Sequence, residues 1–519
     1  MPSSDCETAT VTSPVVAAVK AVGRGEMEQA EAVLAVAPDD VEDLLHAKMA
    51  DGPSGPIAAH GVAASPGAAS GRVCLSVDAV LDADDEGVPA IFVRPFTTPA
   101  DEVAMSAAAA IITAKGGMAS HAAVIARGWG IPAVVGVETL SVDVAAGAAR
   151  LGESELRDGD PITVDGSAGT IMLGTAEVDD VEIPDELFRL LEWADELRAG
   201  RLGVRANADD AFSARLAREF GADGVGLCRT EHMFLGERLP LIQRVITDGG
   251  RAALDALAEA QVDDLVELLE AMDGLPVIVR LLDPPLHEFL PDHPELVEEN
   301  PMLGVRGARL GVLRPELYRA QARAAGEAAA RRVADGGDPQ VQIMVPLVVG
   351  GPELAHVRAA VVDELAGFES RLAGRPIPVG AMIETPRSAL AAAEIADCAD
   401  FLSVGTNDLT QMTFGFCRDD IEAKIMRPYI DHGLLAANPF ETLDTGGVGR
   451  LVANAAAAAR AARPGIEIGV CGEHGGDPAS IAFWAAAGMD YVSCSPHRVP
   501  VARLAAAQAV AAQAVANSA

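Results

Sequence analysis

No uninterrupted apolar run in this chain reaches the length needed to cross a bilayer, and its first residues, MPSSDCETAT, carry neither a basic start nor a following apolar core. A membrane-spanning protein and a signal peptide are both set aside on those grounds, and the expected location is the cytoplasm. Cysteine is sparse and unpatterned: Cys6, Cys74, Cys228, Cys398, Cys417, Cys471 and Cys494 are odd in number and never form a Cys-x-x-Cys pair. That argues against a disulfide framework and against a zinc site, so a cysteine with a role here has it through its own chemistry. Lysine occurs only at Lys20, Lys48, Lys115 and Lys424, and no basic cluster exists anywhere. With a net charge of −37 the chain repels polyanions, which excludes a nucleic-acid or membrane-surface binder that relies on a basic footprint.

What is present is a globular balance, 50% hydrophobic and 22% charged residues, spread over 519 residues. That length suits two or three domains, each with its own core. Residues 1–58 read as a short helical N-terminal segment, with two short helices within 24–50 separated by a turn at Pro38 and Asp39. Residues 59–174 change to short β-rich runs (GRVCLSV, AIFVRPF, AAIITA, AVVGV, PITVDGS) with one helix starting near His121, a compact α/β domain. Residues 175–200 are acidic and helical in pattern and read as a stiff linker. From 201 to 519, β-rich runs alternate with helical stretches: LGVRANA, GVGLCRTE, VIVRLLD, IMVPLV, GAMIET, LSVGTND, IGVCGEH and the weaker MLGVRGARL. Eight such runs predict a (β/α)8 barrel, whose chemistry sits at the C-terminal ends of the strands.

The unusual polar residues fall at those ends: Asn207, Arg229, Arg280, Arg306, Glu384, Asn407, Asp408 and Cys471. Glu384 and Asp408 suit a hard divalent cation such as Mg2+, which takes one or two protein carboxylates plus oxygens from a phosphate-bearing substrate. Three arginines at one mouth match phosphate and carboxylate oxygens, so metal and arginines together point to a phosphorylated carboxylic acid. Cys471, between a strand and the glycine-rich GVCGEHGG loop, is placed to donate a proton to an enolate carbon. Singly, each of these is as well explained by a surface ion pair or, for the cysteine, a small buried hydrophobe; the combination is not. His474 and Arg306 suit support better than chemistry, and Cys228 suits strand packing. In the smaller domain, KGGMASHAAVIARG puts His121 after a Gly-Gly turn at a helix start, with Ser120 as candidate N-cap, where a phosphoryl group would face free backbone N–H groups. A histidine at a helix start is often structural; the barrel's lack of a nucleophile raises this one.

At this point the motifs GGMASHAAVIARG, GLCRTEHMFLGERL, VRLLDPPLHEFLP, NPMLGVRGARLG, AMIETPRSALAAAEIA, FLSVGTNDLTQMTFGFCRDD and GVCGEHGGDPASIAFWAAAGMDYVSCSPHRVP resemble the phosphoenolpyruvate (PEP)-utilising enzymes, most closely the pyruvate phosphate dikinases. The resemblance runs from about His60 to the C-terminus. It implies a swivelling phosphohistidine α/β domain followed by a TIM-type (β/α)8 barrel, an α/β fold throughout. It also implies that His121 carries the phosphoryl group, that Glu384 and Asp408 bind Mg2+, that Arg229, Arg280 and Asn407 contact PEP, and that Cys471 protonates enolpyruvate. Gly405, Thr406 and Arg418 complete the implied substrate site, and a homodimer through the barrel is the implied assembly. Two departures stand out. Family dikinases carry an ATP-grasp nucleotide-binding domain ahead of the histidine domain, whereas only residues 1–58 precede it here, and their DDVEDLLHAKM stretch resembles the connection that follows that domain. A separate nucleotide-binding protein or phosphoryl-acceptor protein is therefore expected as a partner. The other departure is Ala119, where the family often has threonine. Two other functions compete with the dikinase-like one. An Enzyme I-like PEP-protein phosphotransferase would need a helical carrier-binding insertion that is missing here, and a non-catalytic PEP-sensing scaffold would not need the intact set of His121, Arg229, Arg280, Glu384, Asp408 and Cys471.

Overall fold

Val, Ile and Leu crowd the short runs after residue 201, and in the computed structural model they become eight parallel strands buried on both faces. The structure describes residues 13–50, 56–98, 101–118, 120–144, 146–179, 181–234, 238–247, 250–283, 289–290, 298–421 and 425–518; Ala119 and part of the LLDPPLHEFLP stretch lie outside them. The strands are Gly203–Asn207, Val225–Arg229, Pro276–Arg280, Gln340–Val345, Val379–Ile383, Phe401–Val404, Glu467–Val470 and Tyr491–Cys494. Each pairs with the next, and the last pairs with the first (Val204 opposite Val492), closing the barrel. No helix among the described residues is long and apolar enough to cross a membrane.

One strand differs from expectation. The run MLGVRGARL is a 3-10 turn, Pro301–Leu303, followed by a helix, Ala308–Leu313, and the eighth strand is Tyr491–Cys494 instead. Gly307, in the left-handed region at φ 56°, breaks the run, while YVSC is short, wholly buried and flanked by the helices Pro478–Ala486 and Val499–Ser518.

Inside the barrel, Tyr491 is the wedge. The Arg205 guanidinium lies 3.9 Å from its ring centroid and pairs with Glu467, while Gly469 leaves the space that the ring fills. Above it lies an apolar floor of Leu227, Ile278, Met344, Met382, Phe401 and Cys471.

The N-terminal segment forms three helices, Pro14–Gly23, Gln29–Ala35 and Pro38–Glu42. Pro38 opens the third helix, where its missing N–H costs nothing, rather than sitting in a turn. Val15, Val33, Val36 and Val41 share the barrel's own core with Leu187, Leu190 and Trp193 of the helix Asp185–Arg198. Gln508 of the C-terminal helix donates to the Val33 and Val36 carbonyls at 2.8 Å each. Arg198, held by Asp195 and Asp223 at 2.6 Å each, fastens the 185–198 helix, read as a linker, to the barrel shell.

The smaller domain is an eight-stranded sheet. Ala68–Cys74, Ala90–Arg94, Ala110–Thr113 and Ala133–Val135 run parallel at its centre, and the remaining strands pair antiparallel. Helices Val77–Asp85, Glu102–Ala107 and His121–Trp129 cover one face, two more than expected, and a three-stranded sheet (Leu140–Asp143, Ala148–Leu151, Ser154–Leu156) packs on the other. The end of the His121–Trp129 helix rests on the turn Pro496–Arg498 that follows the last barrel strand; a side chain at Gly130 would meet the His497 imidazole at 2.5 Å. His46 and His497 at this joint are both held below the usual imidazole range, chiefly by burial.

An added methyl at Gly469 would lie 2.0 Å from the Tyr491 ring, whereas at Gly367 it meets nothing within 4 Å. Gly469→Ala is expected to cost about 1–3 kcal/mol in urea unfolding, and Gly367→Ala close to nothing. Equal midpoints for the two variants would contradict the wedge.

Candidate active site

The strand ends place the polar residues in a ring. Arg229 ends the second strand and Arg280 the third; Glu384 follows the fifth, Gly405 to Asp408 the sixth and Cys471 the seventh. At Gly405 any Cβ would lie 2.8 Å from Glu384 Oε2, so a glycine is what lets the fifth and sixth strand ends meet.

Each arginine is aimed by a carboxylate. Asp209 accepts from the Arg229 backbone N–H at 2.7 Å and pairs with its guanidinium at 3.1 Å, with His232 Nδ1 3.0 Å away. Arg280 pairs with Glu231. Arg306 donates to Asp283 at 2.8 and 2.5 Å and to both oxygens of Asp408 at 3.2 Å. Burial opposes the charged form of Arg306, but Asp283 and then Asp408 outweigh it and hold the guanidinium charged. Asp209, Glu231 and Asp283 were not among the sequence candidates, although each lies within three residues of a strand end (ANADD, CRTE, RLLD).

Glu384 is buried and accepts the Leu347 N–H at 2.5 Å; Leu347 holds a φ of 53°, left-handed backbone that a leucine rarely takes. Burial, then Asp408 and Asp283, pushes the Glu384 carboxyl up to about 8. Among the described residues no third His, Cys, Asp or Glu joins these groups in a metal-holding cluster. Two hard carboxylates driven against each other in a buried mouth fit a divalent cation that takes its other oxygens from ligand and water.

Cys471 is 3% exposed, with Sγ 3.6 Å from the Val404 carbonyl, and burial pushes its thiol up to about 11. It keeps its proton at neutral pH, which suits a proton donor. Asn207 donates to the Cys471 carbonyl at 3.3 Å and accepts from Ser493 at 2.7 Å. Asn407 Oδ1 accepts from the Glu473 N–H at 3.1 Å. Thr406 Oγ1 and the Nε and Nη2 of Arg418 are buried with no hydrogen-bond partner among the described residues, donors left for a ligand. His474 is buried and bonded to the Pro439 carbonyl at 2.9 Å, a structural place. Cys228 is buried within its strand.

His121 is the first residue of its helix. Ser120 holds the N-cap position, but its hydroxyl donates back to the Gly117 carbonyl at 2.8 Å and caps no helical N–H. The imidazole is bonded through Nδ1 to Thr97 Oγ1 at 2.9 Å and through Nε2 to Glu102 Oε1 at 3.1 Å. Arg127, on the same helix, donates to the carbonyls of Ala64 at 2.8 Å and Met118 at 2.5 Å, tying the glycine turn to the helix. A cavity of about 650 Å³ separates the domains, lined by Glu102 and Arg127 on one side and Asn207, Arg229 and Glu473 on the other. His121, Cys471, Glu384 and Asp408 do not line it; of the candidate site residues only Asn207 and Arg229 do, so the cavity joins the histidine domain to one edge of the barrel ring and the imidazole is not placed among the barrel residues.

Two family models match the chain: PEP-utilising enzyme, PEP-binding domain, over residues 190–511, and PEP-utilising enzyme, mobile domain, over residues 87–169. Pyruvate, phosphate dikinase 1 of Arabidopsis thaliana is 45% identical over 529 residues, covering 95% of this chain and 54% of that protein. The pyruvate, phosphate dikinase of Rhizobium meliloti is 44% identical, covering 96% and 59%. This chain therefore spans little more than half the length of the curated relatives it matches.

Because the Glu384 carboxyl is raised in the fold, the folded chain binds that proton more tightly than the unfolded one. Its contribution to stability is full below the ordinary carboxylate range and is lost as pH climbs towards about 8. In metal-free protein, Glu384→Gln should therefore gain thermal stability relative to wild type between about pH 5 and pH 8, and Mg2+ should restore wild type most at the upper end. Parallel pH profiles with no response to Mg2+ would rule this out.

Proposed function

From the premise that the chain belongs to the PEP-utilising enzymes, we propose that it moves the phosphoryl group of PEP onto His121, leaving pyruvate, or runs that step in reverse. The observation that carries this is the ring of pre-aimed arginines and buried carboxylates at the barrel mouth, together with a histidine domain whose Glu102 and Arg127 share a cavity with Arg229 of that ring.

In this reading Arg229 and Arg280 bind the substrate anion, held in direction by Asp209 and Glu231, so no reorganisation is needed when charge develops. Asn407, Thr406, Gly405 and Arg418 supply the remaining contacts, Thr406 and Arg418 through donors that have no protein partner. Glu384 and Asp408 hold Mg2+, which when bound supplies positive charge to the phosphoryl and enolate oxygens. Cys471 delivers its proton to the enolate carbon above an apolar floor that excludes water. His121 then takes the phosphoryl group away as its domain swivels, to a nucleotide-binding site in a dikinase-type reaction, with two barrels paired as a homodimer. Transfer to a carrier protein, as in Enzyme I, would share the half-reaction. The described part of residues 59–174 has three short helices and no helical subdomain to dock such a carrier. A PEP-sensing scaffold would have no use for a thiol kept protonated beside the arginine ring. PEP and pyruvate as substrates suit a cytoplasmic enzyme.

Incubated with PEP labelled at phosphorus, the protein is expected to gain acid-labile label and release pyruvate only with Mg2+, and His121→Ala to lose both. Pyruvate formed by His121→Ala would sink the phosphohistidine mechanism. Cys471→Ala should still take label while pyruvate release slows by about 10²–10⁴-fold, the usual range for a lost proton donor. Loss of labelling in that variant would contradict the assigned role.

A further inference from the structure

We propose that Glu102 governs the phosphoryl-accepting nitrogen of His121: its carboxylate holds the Nε2 proton before transfer and destabilises the phosphohistidine after it. This rests on His121 being the carrier and adds a residue to that step.

Both imidazole nitrogens are engaged inside the smaller domain, Nδ1 by Thr97 and Nε2 by Glu102. The Glu102 side chain is 16% exposed and that of His121 is 26% exposed. The loop that presents them is pinned: Asp101 pairs with Arg94 at 3.1 Å and accepts from Thr98 N and Oγ1 at 2.8 and 2.9 Å. Asp101 thus has its cation, whereas the recorded ion-pair partner of Glu102 among the described residues is His121 alone. An ionised carboxylate only accepts; against one, the nitrogen facing Glu102 is the donor, and in a neutral ring Nδ1 is then left to accept from the Thr97 hydroxyl. Glu102, not His121, lines the cavity shared with Arg229 and Asn207. The carboxylate therefore stands between Nε2 and the space from which a phosphoryl group arrives.

For Nε2 to attack, its proton must leave and the carboxylate must clear the path. Transfer of that proton to Glu102 does both, because the neutral acid is no longer held by the ring. The P–O bond of PEP then breaks as the N–P bond forms, and the enolate takes the Cys471 proton to become pyruvate. Cys471 regains a proton from solvent and Glu102 returns one to it, so the proton count closes. Once re-ionised, Glu102 stands beside a phosphoryl dianion, and that like-charge repulsion raises the tendency of the phosphohistidine to pass its group on.

The test is an equilibrium. Full-length protein with Mg2+ is brought to equilibrium with labelled PEP and unlabelled pyruvate at a series of ratios, and the ratio at half-maximal labelling is read. That midpoint does not depend on how much of a variant is folded or how fast it turns over. Glu102→Gln is expected to reach half-labelling at a PEP-to-pyruvate ratio about tenfold lower than wild type, while Glu102→Asp, which keeps the charge, stays near wild type. An unchanged midpoint for Glu102→Gln overturns the proposal, as does an equal shift for Glu102→Asp, which would assign the effect to shape. Wild type that labels normally beside an unshifted Glu102→Gln would leave the carrier role standing and remove only Glu102. Wild type that takes no label would remove both.

Discussion

The barrel mouth depends on one guanidinium. Arg306 bonds two carboxylates at once, Asp283 and Asp408, while Glu384 lies close enough to Asp408 and Asp283 for both to raise its carboxyl. Three acidic groups gathered at one buried place would drive one another to take up protons or turn away. Arg306, the residue just before Gly307 with its φ of 56°, pairs with two of them directly and fixes their positions. The third is positioned by the Leu347 N–H, delivered by a backbone conformation that leucine adopts only when its surroundings over-determine it. The carboxylates are thus placed by covalent geometry and ion pairing before any ligand arrives.

The same logic extends round the ring. Arg229 and Arg280 are buried charges, and a buried charge persists only with a partner; Asp209 and Glu231 serve that need and set direction at the same time. A guanidinium already paired on one edge offers its other N–H groups to a ligand without having to be found among many rotamers. Below the ring the environment reverses, to Met344, Met382, Ile278 and Leu227, and there the Cys471 thiol is held protonated.

How much of this could be read from the chain follows from distance in sequence. The ring residues were legible because a barrel puts function at strand ends, and a strand end is a local signal. The partners Asp209, Glu231 and Asp283 carry that same signal, but an acidic residue after a strand is equally a common turn former, so position alone does not mark it. The Thr97–His121–Glu102 group was not legible: its members are 24 and 19 residues apart, and only the folded sheet brings them together. The eighth strand was misassigned for a related reason. MLGVRGARL and YVSC are both short and apolar, and periodicity does not separate them. What separates them is context, since Gly307 bends one into a helix start and two flanking helices frame the other.

The N-terminal helices bear on the joint between the domains. They are too small to bury a core alone, and they solve this by adding Val15, Val33 and Val41 to the core that the barrel shares with the helix Asp185–Arg198. The chain then crosses to the smaller domain through residues 46–50, where Ala47 accepts from the Ala68 N–H and Lys48 from the Asp179 N–H at 2.9 and 2.8 Å. The smaller domain is therefore tethered on both sides, by residues 46–50 and by the return near residue 179. Its contact with the barrel includes His497 against Gly130, and charged groups face one another beside it, Arg127 of the smaller domain near Glu473 and Arg498. The ion pairs of Arg229 and Arg280 lie within the ring, with Asp209 and Glu231, so among the described residues no group of the joint is paired with these two arginines.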